Sequence, residues 1–242
     1  MKSCFRGVLI AGLVIIGLGG SMAALAMGEV LAAGVWRYKM TVTVETPEGI
    51  KTGSAVREVS VKQNPKITPE TLPHIAVKGE AVVVDLGQRG LLFAIMKNSI
   101  GPDYTHHVVY KTIGGSTSPE GIRYLQNATG KKAVLEPEDY PVLVMFKDIN
   151  DPKTVTPALE LGNNPKPPFA QIVKDDYFDE LFGAGVKLKE ITIEMTDEKV
   201  TWGIKKTRPS FDPETGFMEW FNGLPYGDLR KIGPYDFFKG EK

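Results

Sequence analysis

The side chains that could do chemistry in this chain gather most closely at Asp103, His106 and His107. The chain has 242 residues and three histidines, and only here do histidine, a carboxylate and a phenol (that of Tyr104) stand together. Imidazole and carboxylate groups bind zinc and other transition metals, and they also serve as general acids and bases. The segment therefore supplies three catalytic candidates, Asp103, His106 and His107, and His106 is also a candidate metal ligand.

The backbone expected around the two histidines argues against a shared metal ion. Neighbouring residues of a β-strand point to opposite faces of the sheet, so His106 and His107 could not both bind one ion without a turn. No other cluster in the sequence supplies further ligands at a motif spacing. We expect a loop that enters a strand here, and a metal or acid–base site is the alternative.

A second candidate metal site consists of Asp148, Asn150 and Asp151, which are similar to the start of a calcium loop. Such a loop requires glycine at its sixth position and glutamate at its twelfth. Those positions hold Lys153 and Leu159 here. A turn that follows a strand explains the three residues equally well.

Motifs for nucleophilic catalysis and for phosphate binding are missing from the sequence. There is no Gly-x-Ser-x-Gly motif, and the run 114–117 has no histidine at a motif spacing. The run 128–132 lacks the first glycine of a phosphate loop, and it follows a predicted helix rather than a strand. The sequence predicts no cofactor.

The first 27 residues predict export. Lys2 and Arg6 precede residues 7–27, in which no side chain is charged. A secretory signal peptide fits this pattern, with a small-x-small cleavage motif at 24–26, and so does an uncleaved membrane anchor of about 20 apolar residues. In both cases the basic start favours a cytoplasmic N-terminus and a C-terminal domain outside the cytoplasm. We expect an exported protein, periplasmic or anchored in the inner membrane, with the membrane as a partner if the segment is uncleaved.

Charge and cysteine content exclude several classes of protein. The 29 basic side chains balance 29 acidic ones without a basic stripe, so no nucleic-acid partner is expected. The single cysteine, Cys4, precedes the apolar run, so we expect neither a disulfide nor thiol chemistry in the exported part. The 26 glycines and 17 prolines are typical of a fold rich in turns.

Alternating apolar and polar residues predict a first hairpin. Residues 36–44 alternate at period two, as a strand with one buried face does. Turn residues at 46–49 and at 53–54 are expected to end this strand, and 55–61 is expected to pair with it.

Further strands are expected after the first hairpin. Residues 80–86 and 91–96 flank a glycine-bounded turn at 87–90, and both runs are apolar on both faces. This pattern predicts a second hairpin, placed centrally in a sheet or between layers. The remaining predicted strands are 141–146, 186–195 with a slip in phase, and 200–204.

Two short helices complete the predicted fold. Ser118 can cap a helix at 119–129, and Asp175 can cap a second helix that Gly183 ends. We therefore expect an α+β fold, predominantly antiparallel β-sheet built from hairpins with two short helices, behind an N-terminal hydrophobic targeting or anchor helix. The predicted parts are a signal peptide or N-terminal membrane anchor at 1–27, a β-rich globular domain at 36–209 and a tail at 210–242.

Several segments resemble a family of uncharacterised exported or membrane-anchored proteobacterial proteins. The segments are TPEG at 46–49, GEAVVVDLG at 79–87, NDP at 150–152, GVKL at 185–188 and EMT at 194–196. The likeness extends over residues 38–206 and does not include the stretch after Pro209. The resemblance implies a bacterial envelope protein, and it brings no activity or site with it.

The tail at 210–242 is rich in aromatic residues separated by glycine and proline, so no long helix is expected there. The rings either pack over the domain or anchor a partner, because aromatic rings dominate interface energetics. The partner-binding candidates are Phe217, Trp220, Phe221, Tyr226, Tyr235, Phe237 and Phe238.

These observations favour a non-enzymatic envelope protein that acts as a binding or accessory module, with an envelope protein as a possible partner. Export, balanced charge and the missing catalytic motifs support this hypothesis. Two alternatives stay open: a metal-assisted hydrolase that uses Asp103, His106 and His107, and a carrier of a small hydrophobic ligand held between sheet and tail.

Overall fold

Antiparallel strands make up most of the structure, and short helices pack on the sheets. The computed structural model describes residues 32–63, 72–101, 103–164 and 170–240. The predicted signal peptide or membrane anchor at 1–27 lies outside these ranges. None of the helices within them is both long and apolar enough to span a bilayer. The predicted α+β class with mainly antiparallel sheet is confirmed, with four short α-helices instead of two.

The described residues form twelve strands and four α-helices. The strands are β1 (Ala32–Thr46), β2 (Gly49–Gln63), β3 (His74–Glu80), β4 (Val82–Asp85), β5 (Leu91–Ala94), β6 (Lys132–Val134), β7 (Leu143–Phe146), β8 (Val155–Pro157), β9 (Leu159–Asn163), β10 (Gln171–Asp176), β11 (Lys187–Met195) and β12 (Phe238–Lys239). The helices are α1 (Tyr104–Thr112), α2 (Pro119–Gln126), α3 (Phe178–Phe182) and α4 (Phe217–Gly223).

The first sheet has six strands in the order β12-β3-β2-β1-β11-β6. Its centre is the predicted first hairpin, in which β1 and β2 pair antiparallel along their whole length. The turn predicted at 46–49 is confirmed, because Pro47 and Glu48 connect the two strands. The turn expected at Gly53 and Ser54 is wrong, because both residues lie within β2.

Gly53 lies where the two larger sheets touch, which explains a glycine inside a strand. The second sheet has the order β4-β5-β7-β8, and β4 with β5 is the predicted second hairpin, closed by a 3-10 turn at Gly87–Arg89. A Cβ atom on Gly53 would stand 1.9 Å from the carbonyl oxygen of Val83 in β4. Only glycine allows the two backbones to approach so closely. A third sheet pairs β10 with β9.

One continuous apolar core joins the two larger sheets. Both faces of the second hairpin contribute to it, as predicted, since Val82, Val84, Leu92 and Phe93 are fully buried. On β1 the alternating residues that face this core are Trp36, Tyr38, Met40, Val42 and Val44. Period-two alternation therefore places one face of β1 inside the protein.

The slip in phase predicted for the strand at 186–195 is confirmed as a β-bulge. Thr43 pairs with Glu190 and Val44 pairs with Leu188, so Lys189 is the extra residue in β11. The bulge lets the apolar side chains on both sides of the slip face the core.

The strand predicted at 200–204 is wrong, because Gly203–Lys206 forms a 3-10 turn. The backbone N–H of Ile204 donates to the carboxylate of Glu80 at 2.7 Å, and both residues are buried. This hydrogen bond to the buried Glu80 carboxylate takes the place of the backbone hydrogen bonds to a neighbouring strand that a strand would need.

Both predicted helices are present. The Ser118 hydroxyl caps α2 as predicted, although the helix ends at Gln126 rather than at 129. Asp176, and not the predicted Asp175, accepts the hydrogen bond at the start of α3, because Asp175 belongs to β10. Gly183 ends α3 as predicted.

Helix α1 contradicts the expectation of a loop that enters a strand around the histidines. Its residues are mostly β-branched or aromatic, and such residues favour strands by intrinsic preference. Tertiary packing overrides that preference, because Tyr104, Thr105, Val108 and Val109 share one buried face of the helix.

The aromatic-rich residues 210–240 fold back onto the sheets. Helix α4 lies in this segment, and β12 extends the first sheet by pairing with β3. Phe237 is fully buried, and its ring centroid lies 5.7 Å from that of Phe93, 6.1 Å from that of Phe146 and 5.6 Å from that of Phe211. The last part of the segment thus completes the core.

Candidate functional site

Helix α1 is anchored on the first sheet through its first turn. The Tyr38 hydroxyl on β1 donates to the carbonyl oxygen of Thr105 at 2.7 Å. The Tyr104 hydroxyl donates to the carbonyl oxygen of Asp139 at 2.9 Å. At the other end of α1, the rings of Tyr110 and Trp36 lie 6.1 Å apart. These contacts fix the helix on β1 and against Asp139.

A groove of about 540 Å³ lies between α1 and β3, and we call it the α1–β3 groove. One wall is apolar and consists of Leu72, Pro73, Ile75 and Val77. The other wall is polar and consists of Asp103, Thr105, His106, His107, Tyr110 and Thr117, together with Lys239 of β12. The groove therefore unites the three catalytic candidates with residues distant in sequence.

The helix brings the two histidines together rather than pointing them apart. Their ring centroids lie 4.4 Å apart with the planes nearly perpendicular, and the ring of Tyr110 contacts both. His106 is 6% exposed, whereas His107 is exposed. Burial and, second, the charge of His107 lower the pKa of His106 to about 4. The imidazole of His106 is therefore neutral at neutral pH.

Asp103 stands at the N-terminal end of α1 and is exposed. Its side chain makes no capping hydrogen bond, so the first-turn N–H groups of the helix keep their capacity to donate. The charge of Asp103 opposes the lowering of the His106 pKa without cancelling it. Asp103 thus contributes negative charge at the groove mouth.

Two hydroxyls, on residues that line the groove, are buried without a hydrogen-bond partner among the described residues. They belong to Thr105, which is 1% exposed, and to Tyr110. Burial raises the pKa of the Tyr110 hydroxyl to about 12, so it stays protonated. A buried hydroxyl without a partner is costly and uncommon in folded proteins. Because Thr105 and Tyr110 both line the groove, a molecule held there would lie beside the two hydroxyls.

A fully buried arginine lies behind this region. Arg57 faces Tyr38 on β1, and its Nε donates to the carbonyl oxygen of Glu80 at 2.9 Å. Its Nη1 contacts the sulfur of Met40 at 3.6 Å, and its Nη2 has no partner within the described ranges. The positive charge of Arg57 also contributes to lowering the pKa of Lys239, for which burial is the largest cause.

The calcium candidates Asp148, Asn150 and Asp151 form turns. Asp148 Oδ1 accepts from the backbone N–H of Asn150 at 2.9 Å, and Asp151 Oδ1 accepts from that of Lys153 at 3.1 Å. Such side chain–backbone bonds are typical of Asx turns. Across all the residues that the structure describes, no three His, Cys, Asp or Glu side chains are grouped so as to hold a metal ion, and this includes His106.

The partner-binding candidates of the tail differ widely in exposure. Phe217 and Phe237 are buried, and Trp220, Phe221 and Phe238 are half-buried. Tyr226 is fully exposed and Tyr235 is 78% exposed. Only these two rings of the set reach far into solvent.

The arrangement in the groove can bind through hydrogen bonds and apolar contact. His106 offers a neutral imidazole, Thr105 and Tyr110 carry hydroxyls that can donate, and Lys239 contributes a positive charge. Sequence reasoning missed Thr105, Tyr110, Lys239 and the wall on β3. The spacing of Tyr104 and Val108, and of Thr105 and Val109, at i and i+4 was a signal for the helix. No local signal places Lys239 or β3 beside it.

Comparison with known proteins gives no relative. No protein-family model, no curated protein and no solved structure matches this chain. The resemblance to exported proteobacterial proteins therefore stays a prediction.

Proposed function

We propose that this chain is a non-enzymatic, ligand-binding protein of the bacterial envelope, and that a small molecule with an apolar portion lies in the α1–β3 groove. The observation that carries the proposal is the pair of buried, unpartnered hydroxyls of Thr105 and Tyr110 opposite an apolar wall. The volume of about 540 Å³ falls within the range of small-molecule sites, which is about 300–1,000 Å³.

The energetics of the hydroxyls support binding rather than a purely structural role. An unpartnered buried hydroxyl lowers the stability of the folded protein by about 1–3 kcal/mol. A ligand that accepts hydrogen bonds from Thr105 and Tyr110 recovers that loss, and the same contacts orient it. The sequence hypothesis of a binding module, and that of a small-ligand carrier, both agree with such a groove, here between sheet and helix rather than between sheet and tail.

Nothing on the described residues favours the alternative of a metal-assisted hydrolase. The Asp103 side chain makes no capping bond to α1, and a grouped set of metal ligands is not found in the described ranges. Export to the envelope is supported by Lys2, Arg6 and the uncharged run at 7–27. The exposed rings of Tyr226 and Tyr235 leave room for an accessory contact with an envelope protein.

Native mass spectrometry of the full-length protein, gently extracted from a bacterial host, tests the proposal. We expect a discrete organic mass on the wild-type protein. The Ile75→Trp variant, which fills the groove, should lose this mass. The matched control Ile172→Trp on the exposed side of β10 should keep it. A wild-type protein without an added mass, or a mass that persists in Ile75→Trp, would contradict the proposal.

A further inference from the structure

We infer that the α1–β3 groove selects a single-chain amphiphile with an anionic, oxygen-bearing head, the head at the start of α1 and the hydrocarbon on β3. This inference rests on the proposed function and specifies its ligand. The shared chemistry is that of a carboxylate or a phosphate monoester, whose oxygens only accept hydrogen bonds when ionised.

Buried polar atoms without a hydrogen-bond partner favour an oxygen-bearing head. Among the described residues, Trp36 Nε1, Arg57 Nη2 and the hydroxyls of Thr105 and Tyr110 are buried without a partner, as is Gln63 Oε1. The indole and guanidinium nitrogens can only donate, and both hydroxyls can donate. The Oε1 atom of Gln63 is an amide oxygen and can only accept a hydrogen bond. Four of the five unpartnered atoms can therefore donate a hydrogen bond, and two of them, the hydroxyls, belong to residues that line the groove.

Strand register places these donors in one region. Tyr38 pairs with Arg57 and Trp36 pairs with the residue two positions further along β2, so both donors share the sheet face that α1 covers. The ring of Trp36 contacts that of Tyr110, and Tyr38 binds the backbone of Thr105. The unpartnered donors thus belong to the same interface of sheet and helix.

The charged groups around the groove bear on the head of the ligand. The nine-residue helix α1 begins at the groove, and its first-turn N–H groups carry the positive end of the helix dipole. Lys239 lines the groove, and the guanidinium of Arg57 is buried behind it. Asp103 is the carboxylate among the lining residues, and Asp236 acts on Lys239 from the preceding turn. Lys239 and Arg57 are thus the cations of this region, and the negative charge of Asp103, at the exposed mouth of the groove, also acts on Lys239.

The apolar wall of the groove distinguishes an amphiphile from a free anion as the ligand. Ile75 and Val77 of β3 are half-buried where they face the groove, and Leu72 is 81% exposed. A hydrocarbon chain along β3 would remove these side chains from water, which favours binding in proportion to the apolar surface buried. A small inorganic anion would leave this wall exposed.

Four eight-carbon probes that differ only in the head test the inference. Octanoate, octyl phosphate, octan-1-ol and octylamine are titrated calorimetrically into the full-length protein in lipid nanodiscs, with empty nanodiscs as the blank. We expect at least one of the anions to bind about tenfold more tightly than octan-1-ol, and octylamine to bind less tightly still. The tighter anion identifies the head as carboxylate or phosphate.

Two variants assign the selectivity to the groove. Lys239→Met should weaken the anion about tenfold and leave octan-1-ol unchanged, which also shows that the variant folds. The control Lys189→Met, on the bulge of β11, should change neither. Equal affinity for the anions and octan-1-ol, tightest binding of octylamine, or binding of none of the four would overturn the inference. The proposed function is judged separately, by the organic mass and its loss in Ile75→Trp.

Discussion

Replacing Tyr110 by phenylalanine should raise the stability of the ligand-free protein, although most substitutions at buried positions lower it. The Tyr110 hydroxyl is buried and has no hydrogen-bond partner among the described residues. Burial of such a hydroxyl costs about 1–3 kcal/mol, and the ring of Tyr110 is only half-buried, so we expect a gain of about 1 kcal/mol in the free energy of unfolding. The volume of the side chain hardly changes.

Tyr104 provides the matched control on the same helix. Its hydroxyl donates to the carbonyl oxygen of Asp139 at 2.9 Å, and the residue is buried. Tyr104→Phe removes that donor and leaves the carbonyl group unpaired, which should lower the free energy of unfolding by about 1–2 kcal/mol. The same chemical change at two positions of α1 should therefore have opposite signs, with a difference of about 2–3 kcal/mol.

Urea unfolding of the full-length wild type and both variants measures this difference. If Tyr110→Phe loses as much stability as Tyr104→Phe, the Tyr110 hydroxyl has a partner in the ligand-free protein and the reasoning from unpartnered hydroxyls is refuted. An anionic probe adds a second comparison. It should stabilise the wild type more than Tyr110→Phe, because the variant lacks one donor to the bound head.

Three further predictions follow from other parts of the structure. The pKa of about 4 for His106 lies below its unfolded value of 6.5, so the unfolded chain binds the proton more readily, and stability should fall by about 3 kcal/mol as the pH drops from 6.5 to 4. Acid unfolding of His106→Gln should lack this dependence, and an unchanged profile would exclude His106 as its source. Gly53→Ala should lower the free energy of unfolding by about 3 kcal/mol because its Cβ would meet the β4 backbone, whereas Gly223→Ala, with open space around it, should not lower it. Phe237→Ala should cost about 3–5 kcal/mol in thermal or urea unfolding, and Tyr235→Ala at an exposed position less than about 0.5 kcal/mol; similar losses would contradict the placement of the two rings.

Much of the fold could be predicted because its signals are local. The turn at Pro47 and Glu48, the cap by Ser118 and the slip at Lys189 each depend on residues a few positions apart. Period-two alternation in β1 likewise identified its buried face. The errors arose where a local signal had a different cause, as at Gly53, whose absent side chain serves the contact between sheets rather than a turn.

The candidate site could be predicted only in part. The sequence by itself determined that Asp103, His106 and His107 are neighbours, because they lie within five consecutive residues of the chain. Tertiary structure decided that they lie on a helix, since burial of Tyr104 and Val108 against the sheet outweighs the strand preference of the segment. It also decided that β3 and Lys239 complete a groove around them. Those contacts join residues far apart in sequence, and the free energy that holds them comes from burial, which depends on the whole fold.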